Sequence, residues 1–239
     1  MAPEKWSAKG RADFVTEVDR ESEQLIAKIL TEAVPGSLVV GEELSPTALT
    51  PGTRHQAPVV WIVDPLDGTT NFLHRYPEYS VSIAAVFDGE IVAGCVYNVP
   101  MDNCFYASRG RGAFMDGRQL EVSTIRDPGH ALIGTGFPFR DIEHLDTYQK
   151  QFAAVTRGTA GIRRAGSAAL DLCDVAAGRF EGFWELRLAP WDVAAGVLMI
   201  AEAGGIVTSL DGSPHRPFEQ SSILAGNRPI HQWLLEQFG

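Results

Sequence analysis

The chain has 239 residues, 45% of them hydrophobic and 21% charged, and a formal net charge of −10. That suffices for one substantial core or two fused subdomains, and the acidity argues against nonspecific binding to nucleic acid or anionic membranes, which needs basic surface. The longest apolar run, Val193–Ala201, falls far short of the ~20 residues of a membrane span. The opening MAPEKWSAKGR lacks a signal peptide's apolar core, and Cys95, Cys104 and Cys173 show no Cys-x-x-Cys spacing, so a cytoplasmic protein with reduced thiols is expected.

Residues 1–12 are polar and read as loose. A helical pattern then begins near Asp19, a candidate N-cap, with Leu25, Ile26, Ile29 and Leu30 on one apolar face and Pro35-Gly36 as its end. Ser37–Gly41 reads as a short strand carrying Glu42 and Glu43 at its exit. Residues 44–58 lack periodicity and contain Pro46, Pro51 and Pro58, so they read as a loop. Tyr79–Phe87 and Glu90–Tyr97 flank Asp88-Gly89, a hairpin signal. Asn103–Ser108 is a further strand, and Ala113–Val122 a second hairpin around Asp116-Gly117.

The pattern changes after Asp127-Pro128-Gly129, which suggests two halves, 1–128 and 129–239. Ala131–Thr135 reads as a strand. Leu145, Tyr148, Phe152 and Val155 recur at helical spacing up to Gly158. Ser167 is a plausible N-cap for a helix reaching Gly178. Phe183-Trp184-Glu185 is a short strand, and Pro190-Trp191-Asp192 opens a very apolar helix closed by Gly204-Gly205. Strands at 205–209 and 221–225 and a helix at 229–238 complete an α/β second half.

The chemistry centres on Trp61–Phe72, WIVDPLDGTTNF. Trp61-Ile62-Val63 reads as a buried strand, broken by a tight turn at Asp64-Pro65-Leu66-Asp67-Gly68. Two ionised carboxylates that close repel each other unless a cation lies between them. Gly68-Thr69-Thr70 adds free N–H groups and hydroxyls suited to a phosphate. The stretch thus offers oxygen ligands for a hard cation beside a cradle for an anion. The bland alternative is a solvated turn. Asp192, at the start of a rigid apolar helix, is either an ordinary cap or a cation anchor. The six histidines include no His-x-x-x-His pair, which argues against zinc, and His74 reads as structural.

Asp13–Asp19 (DFVTEVD), Gly41-Glu42-Glu43, Asp64–Phe72 (DPLDGTTNF), Gly166-Ser167-Ala168-Ala169, Glu185 and Trp191-Asp192-x-x-x-Gly196 occur in this order. Together they resemble the inositol monophosphatase family of magnesium-dependent phosphatases, especially its bacterial members. The resemblance implies a layered αβαβα sandwich, and Mg²⁺ as cofactor. It implies a first ion on Glu42, Asp64 and the Leu66 carbonyl, a second on Asp64, Asp67 and Asp192, and a weaker third reached from Glu42 through water. Thr69 paired with Asp19 would orient and help deprotonate the attacking water. The N–H groups of Gly68 and Thr69 would bind phosphate. Ala168 and Glu185 would meet sugar-like hydroxyls, with Gly166 and Ser167 shaping that wall and Asp192 adjoining the substrate. Homodimers and Li⁺ sensitivity are implied as well, and so is a further helix ahead of Lys9, for which residues 1–8 are too short. The expected substrate is a small phosphate monoester, inositol monophosphate first. Fructose 1,6-bisphosphate, histidinol phosphate and 3′-phosphoadenosine 5′-phosphate are the family's alternatives, and a regulatory protein-binding module is the alternative of another class.

Overall fold

The computed structural model describes residues 6–10, 13–44, 57–139, 142–216 and 219–239; most of the proline-bearing stretch 44–58 lies outside them. The first element departs from expectation. β1 (Trp6–Gly10) pairs antiparallel with β2 (Asp13–Thr16). WSAKG has no apolar alternation, and a hairpin held by its backbone ladder leaves no such pattern to read.

Helix α1 (Glu17–Ala33) begins before Asp19. Thr16 is the N-cap, and its side chain accepts from the Asp19 N–H. The Asp19 carboxylate in turn accepts from the Thr16 N–H at 2.8 Å. This reciprocal capping box places Asp19 at the third helical position rather than at the cap. The expected apolar face is also only partly used. Leu25 and Ile29 are 59% and 54% exposed, whereas Asp19 and Glu23 are buried. The N-terminal half of the side of α1 that meets the sheet is therefore polar, for reasons that lie in the site.

Seven strands form the first sheet, in the order β3 (Leu38–Gly41), β4 (Val60–Asp67), β5 (Ser80–Phe87), β6 (Glu90–Asn98), β7 (Asn103–Ser108), β8 (Ala113–Met115), β9 (Arg118–Gln119). β3 and β4 run parallel, and every later pair is antiparallel. Both predicted hairpins form. Asp88-Gly89 and Asp116-Gly117 have positive φ at both turn residues, as the twist of a two-residue hairpin requires. α2 (Thr69–Leu73) is a single short turn after β4.

The second sheet has the order β11 (Gly161–Arg163), β10 (Leu132–Thr135), β12 (Gly182–Leu188), β14 (Ser221–Gly226), β13 (Ile206–Thr208). β11, with three residues, is the strand of this sheet that sequence reading missed. The helices are α3 (Leu145–Gly158), α4 (Ala168–Ala176), α5 (Pro190–Glu202) and α6 (Arg228–Phe238). Helices α4 and α5 contact strands of both sheets and form the middle layer. The largest buried cluster joins their apolar residues to Val40, Ile62, Val96 and Phe105 of the first sheet and Phe183 and Ile223 of the second. A second cluster packs α3 and α6 on the five-stranded sheet through Tyr148, Trp184, Leu224 and Leu234. α1 lies on β3 and β4 and shares no residue with the large cluster. The layers are thus α1, seven strands, α4 and α5, five strands, then α3 and α6: the expected αβαβα sandwich.

The middle layer is tightly built. A Cβ at Gly196 of α5 would stand 2.6 Å from the Leu172 Cβ of α4. Such close packing fixes the start of α5, and with it Asp192.

Candidate active site

β4 does not end at Val63 in a turn, as its sequence suggests; it continues through Pro65 to Asp67. Asp64 pairs with Ser82 and Asp67 with Ser80, so three steps on β4 match two on β5. The surplus residue is a β-bulge, and Pro65, which lacks an N–H, sits where the ladder is interrupted. In a regular strand, positions three apart face opposite sides of the sheet. The bulge cancels that alternation and lets Asp64 and Asp67 serve one cavity.

Asp64, Asp67 and Asp192 each offer a carboxylate oxygen within 4.8 Å of the others. Asp192 is the third residue of α5, and its Oδ2 accepts from the Ala189 N–H at 2.7 Å. Capping and convergence are therefore both true of it. Asp67 is held by α4: Ser167 Oγ donates to its Oδ2 at 2.6 Å and the Ala169 N–H at 2.8 Å. The Leu66 N–H donates to Asp64 Oδ1 at 2.9 Å. Burial, then the charges of Glu42, Asp67 and Asp192, push the Asp64 carboxyl well above the usual carboxylate range. A buried acid surrounded by acids is what a divalent cation relieves. The donors are all oxygen, so the set fits a hard cation such as Mg²⁺ and not a thiophilic one.

Glu42 reaches the same cavity from the exit of β3. Its N–H donates to the Val63 carbonyl at 3.3 Å. The following N–H groups, of Glu43 and Leu44, donate to the two Glu23 oxygens at 2.8 and 3.0 Å. This is why α1 buries a glutamate: Glu23 ties down the loop that presents Glu42.

Thr69 Oγ1 lies 3.0 Å from Asp19 Oδ1 and 3.1 Å from the Leu66 carbonyl. Asp19 in turn holds the Thr16 N–H and hydroxyl through Oδ2. Gly68, with φ +99°, is the N-cap of α2 and supplies no side chain there; a Cβ on it would stand 2.9 Å from the Glu78 carbonyl. The bend therefore needs glycine twice over.

Glu42, Asp64, Leu66, Asp67, Gly68, Thr69, Gly166, Ala168, Glu185 and Asp192 all line one cavity of about 640 Å³. Asp19 and Ser167 are buried outside that wall, at 1% and 0% exposure. Ser167 was expected against substrate; it instead caps α4 and braces Asp67. The Glu185 carboxylate lies directly over Gly136, where any Cβ would collide with it. Residues that sequence reasoning did not assign also line the cavity, among them Asp171, Phe137, Phe139, Arg164 and Arg187. The Arg164 guanidinium stacks 5.7 and 5.4 Å from the ring centres of Phe137 and Phe139. Phe137-Pro138-Phe139 straight after a strand was the available signal, because neighbouring aromatics outside a period face a surface or a site.

The fold and this cavity define a layered α/β protein with an acidic, oxygen-only cluster that can hold a cation beside the start of α2, an arrangement suited to handling phosphate esters. Residues 3–239 match the inositol monophosphatase family, and the chain belongs to it. It is 47% identical over 229 residues to "Nus factor SuhB" of Pseudomonas aeruginosa, covering 95% of this chain and 83% of that protein. It is 45% identical over 233 residues to an inositol-1-monophosphatase of Caulobacter vibrioides, covering 97% and 89%. Among solved structures, the extragenic suppressor protein suhB of Bartonella henselae superposes with a TM-score of 0.89 at 42% identity, covering 98% of this chain and 87% of that one.

Proposed function

We propose that the protein is a Mg²⁺-dependent phosphomonoesterase that hydrolyses inositol monophosphate to inositol and phosphate by attack of water. The observation that carries this is the bulge in β4, which sets Asp64 and Asp67 against Asp192 in the wall of one cavity. Glu42, Asp64 and the Leu66 carbonyl would hold one Mg²⁺; Asp64, Asp67 and Asp192 would hold another; Glu42 would reach a weaker third through water. When bound, the cations supply neutralisation of phosphoryl charge and acidification of a coordinated water. The chain's own groups do the rest. The Thr69 hydroxyl, with Asp19 as acceptor at 3.0 Å, orients the attacking water and passes its proton inward. The N–H groups of Gly68 and Thr69 bind the phosphoryl oxygens. Ala168 and Glu185 meet the polyol, with Gly166 completing that wall. Residues 1–128 supply the metal- and phosphate-binding half, and 129–239 complete the metal site and the polyol wall.

Glu185 favours a polyol over a bisphosphate, because a carboxylate there repels a second phosphate. Activity as a cytoplasmic homodimer sensitive to Li⁺ belongs to the same reading. A regulatory binding role is the second reading, favoured by the likeness to a protein named as a Nus factor. The test is phosphate release with and without Mg²⁺ from inositol 1-phosphate, fructose 1,6-bisphosphate and 3′-phosphoadenosine 5′-phosphate, for wild type and Asp64→Asn. Release that needs Mg²⁺, is lost in the variant and is fastest on inositol 1-phosphate is expected. Faster release from another ester would change the substrate and keep the mechanism. No release from folded protein would favour the binding role.

A further inference from the structure

One buried ionisable group of the cavity has no part in the chemistry above. Asp171 lies in the first turn of α4, is 2% exposed and belongs to the cavity wall. Its Oδ1 is buried and has no hydrogen-bond partner among the described residues. A buried acceptor left unsatisfied costs free energy, and native proteins seldom keep one without a use.

The surroundings fix its chemical form. Burial is the largest influence on Asp171, followed by the negative charges of Glu185, Asp174, Asp67 and Glu78. All of them favour the neutral acid, and its carboxyl is held well above the ordinary range. A carboxylic acid, unlike a carboxylate, donates a hydrogen bond.

That matters in this cavity. Glu42, Asp64, Asp67, Glu185 and Asp192 line it and accept hydrogen bonds when ionised. A polyol hydroxyl can give its proton to Glu185, but its own lone pairs then need a donor. Asp171 shares this wall with Glu185, which heads the charges acting upon it. We propose that Asp171 is a specificity-determining residue, which donates a hydrogen bond to a hydroxyl of the polyol phosphate while Glu185 accepts one. The inference rests on the phosphatase reading and deepens it: the site selects esters whose alcohol carries a hydroxyl next to the Glu185 wall, and gains nothing from an alcohol without one.

The simpler account is that Asp171 only complements the N-terminal dipole of α4. The two accounts separate with Asp171→Leu and Asp171→Asn, assayed with Mg²⁺ on inositol 1-phosphate and on p-nitrophenyl phosphate, which has no such hydroxyl. The leucine variant should raise KM for inositol 1-phosphate roughly tenfold, the scale of one lost hydrogen bond, with KM for the aryl ester and kcat for both nearly unchanged. The asparagine variant, which keeps a donor, should restore most of the selectivity. Equal change on both esters, or none on either, would overturn the proposal, as would a leucine variant that loses melting temperature without losing selectivity. If the leucine variant does not fold, Asp171→Ala read on the same two esters serves in its place. Wild type that hydrolyses the aryl ester but shows no selectivity change in any variant sinks the Asp171 role alone. Wild type inactive on both esters removes the phosphatase reading and this inference with it.

Discussion

The Thr69 hydroxyl and the Asp19 carboxylate meet at 3.0 Å across fifty residues of chain, and that one carboxylate also closes the cap of α1. Its Oδ2 holds the Thr16 N–H, and its Oδ1 faces Thr69. The helix terminus therefore fixes the rotamer of the group that would accept the water's proton.

Thr69→Ala is expected to lower kcat by about 10²-fold or more, the usual scale for losing a positioned acid–base group. The Mg²⁺ concentration for half-maximal rate should shift much less than kcat, since Thr69 Oγ1 bonds to Asp19 and touches the proposed metal set only through the Leu66 carbonyl. Asp19→Asn should lower kcat similarly and also cost roughly 1 kcal/mol of stability, because the capping box loses part of its acceptor capacity. Steady-state kinetics beside thermal melts would check both. A Thr69→Ala enzyme with wild-type kcat would remove the pair from the proton path.

Asp64 supplies a pH-dependent prediction for the metal-free protein. Its carboxyl sits well above the usual range when folded, chiefly through burial and then through Glu42, Asp67 and Asp192. The folded state thus holds a proton that the unfolded chain releases at about 3.9. The resulting contribution is fully present below that unfolded value and is lost as pH rises through the folded one. Without divalent cations, Asp64→Asn should therefore be the more stable protein near pH 8, with the higher Tm. The gap should close as the solution is acidified. Saturating Mg²⁺ should reverse the order, because cations that bind only the folded site raise its Tm. Melts with and without chelator at two pH values decide it, and an unchanged order after Mg²⁺ addition would count against a cation at Asp64.

Glu23 shows how a proposed metal ligand, Glu42, is placed from a distance. It accepts from the Glu43 and Leu44 N–H groups and fills the space above Gly41. Glu23→Ala strands two backbone donors, which should cost about 1–3 kcal/mol. It should also raise the Mg²⁺ requirement, since Glu42 is the residue just before them. Glu23→Gln keeps one good acceptor and should fall between. Denaturant melts and Mg²⁺ titrations of activity would test this, and Mg²⁺ requirements equal in all three proteins would confine Glu23 to stability.

The elements legible in the sequence were those whose signal is local. Asp88-Gly89 and Asp116-Gly117 announce hairpins because positive φ at both turn positions favours those residues. The carboxylates of the site were legible by residue type and order, and the family resemblance implied their convergence, but the local geometry that achieves it was not legible. Asp64 and Asp67 were read as a turn, and only pairing with Ser82 and Ser80 reveals the bulge that puts them on one side. The polar face of α1 was misread for a related reason. Helical periodicity marks Leu25 and Ile29 as core, whereas Asp19 and Glu23 are buried by partners far along the chain, at Thr69 and at Glu43-Leu44. Ser167 was read correctly as an N-cap, and its second bond, to Asp67, spans one hundred residues.

That second bond leads to the last prediction. Ser167 Oγ donates to Asp67 Oδ2 at 2.6 Å, and the Ala169 N–H donates to the same oxygen. Two donors on one oxygen restrain the carboxylate, so α4 sets the direction of Asp67. Ser167→Ala removes one of them. The Leu170 N–H loses its capping oxygen as well, but at 3.4 Å that bond is weak, so the stability cost should stay near 1 kcal/mol. The Mg²⁺ requirement should rise more than that cost suggests, by roughly 10-fold or more, because groups that orient metal ligands commonly carry such effects. Ser167→Thr keeps the hydroxyl and should restore the requirement if the added methyl is accommodated at this buried position. Activity titrated against Mg²⁺ for the three proteins, beside their melting temperatures, separates a directing role from a merely structural one: only the directing role moves the metal requirement of Ser167→Ala while leaving most of its stability intact.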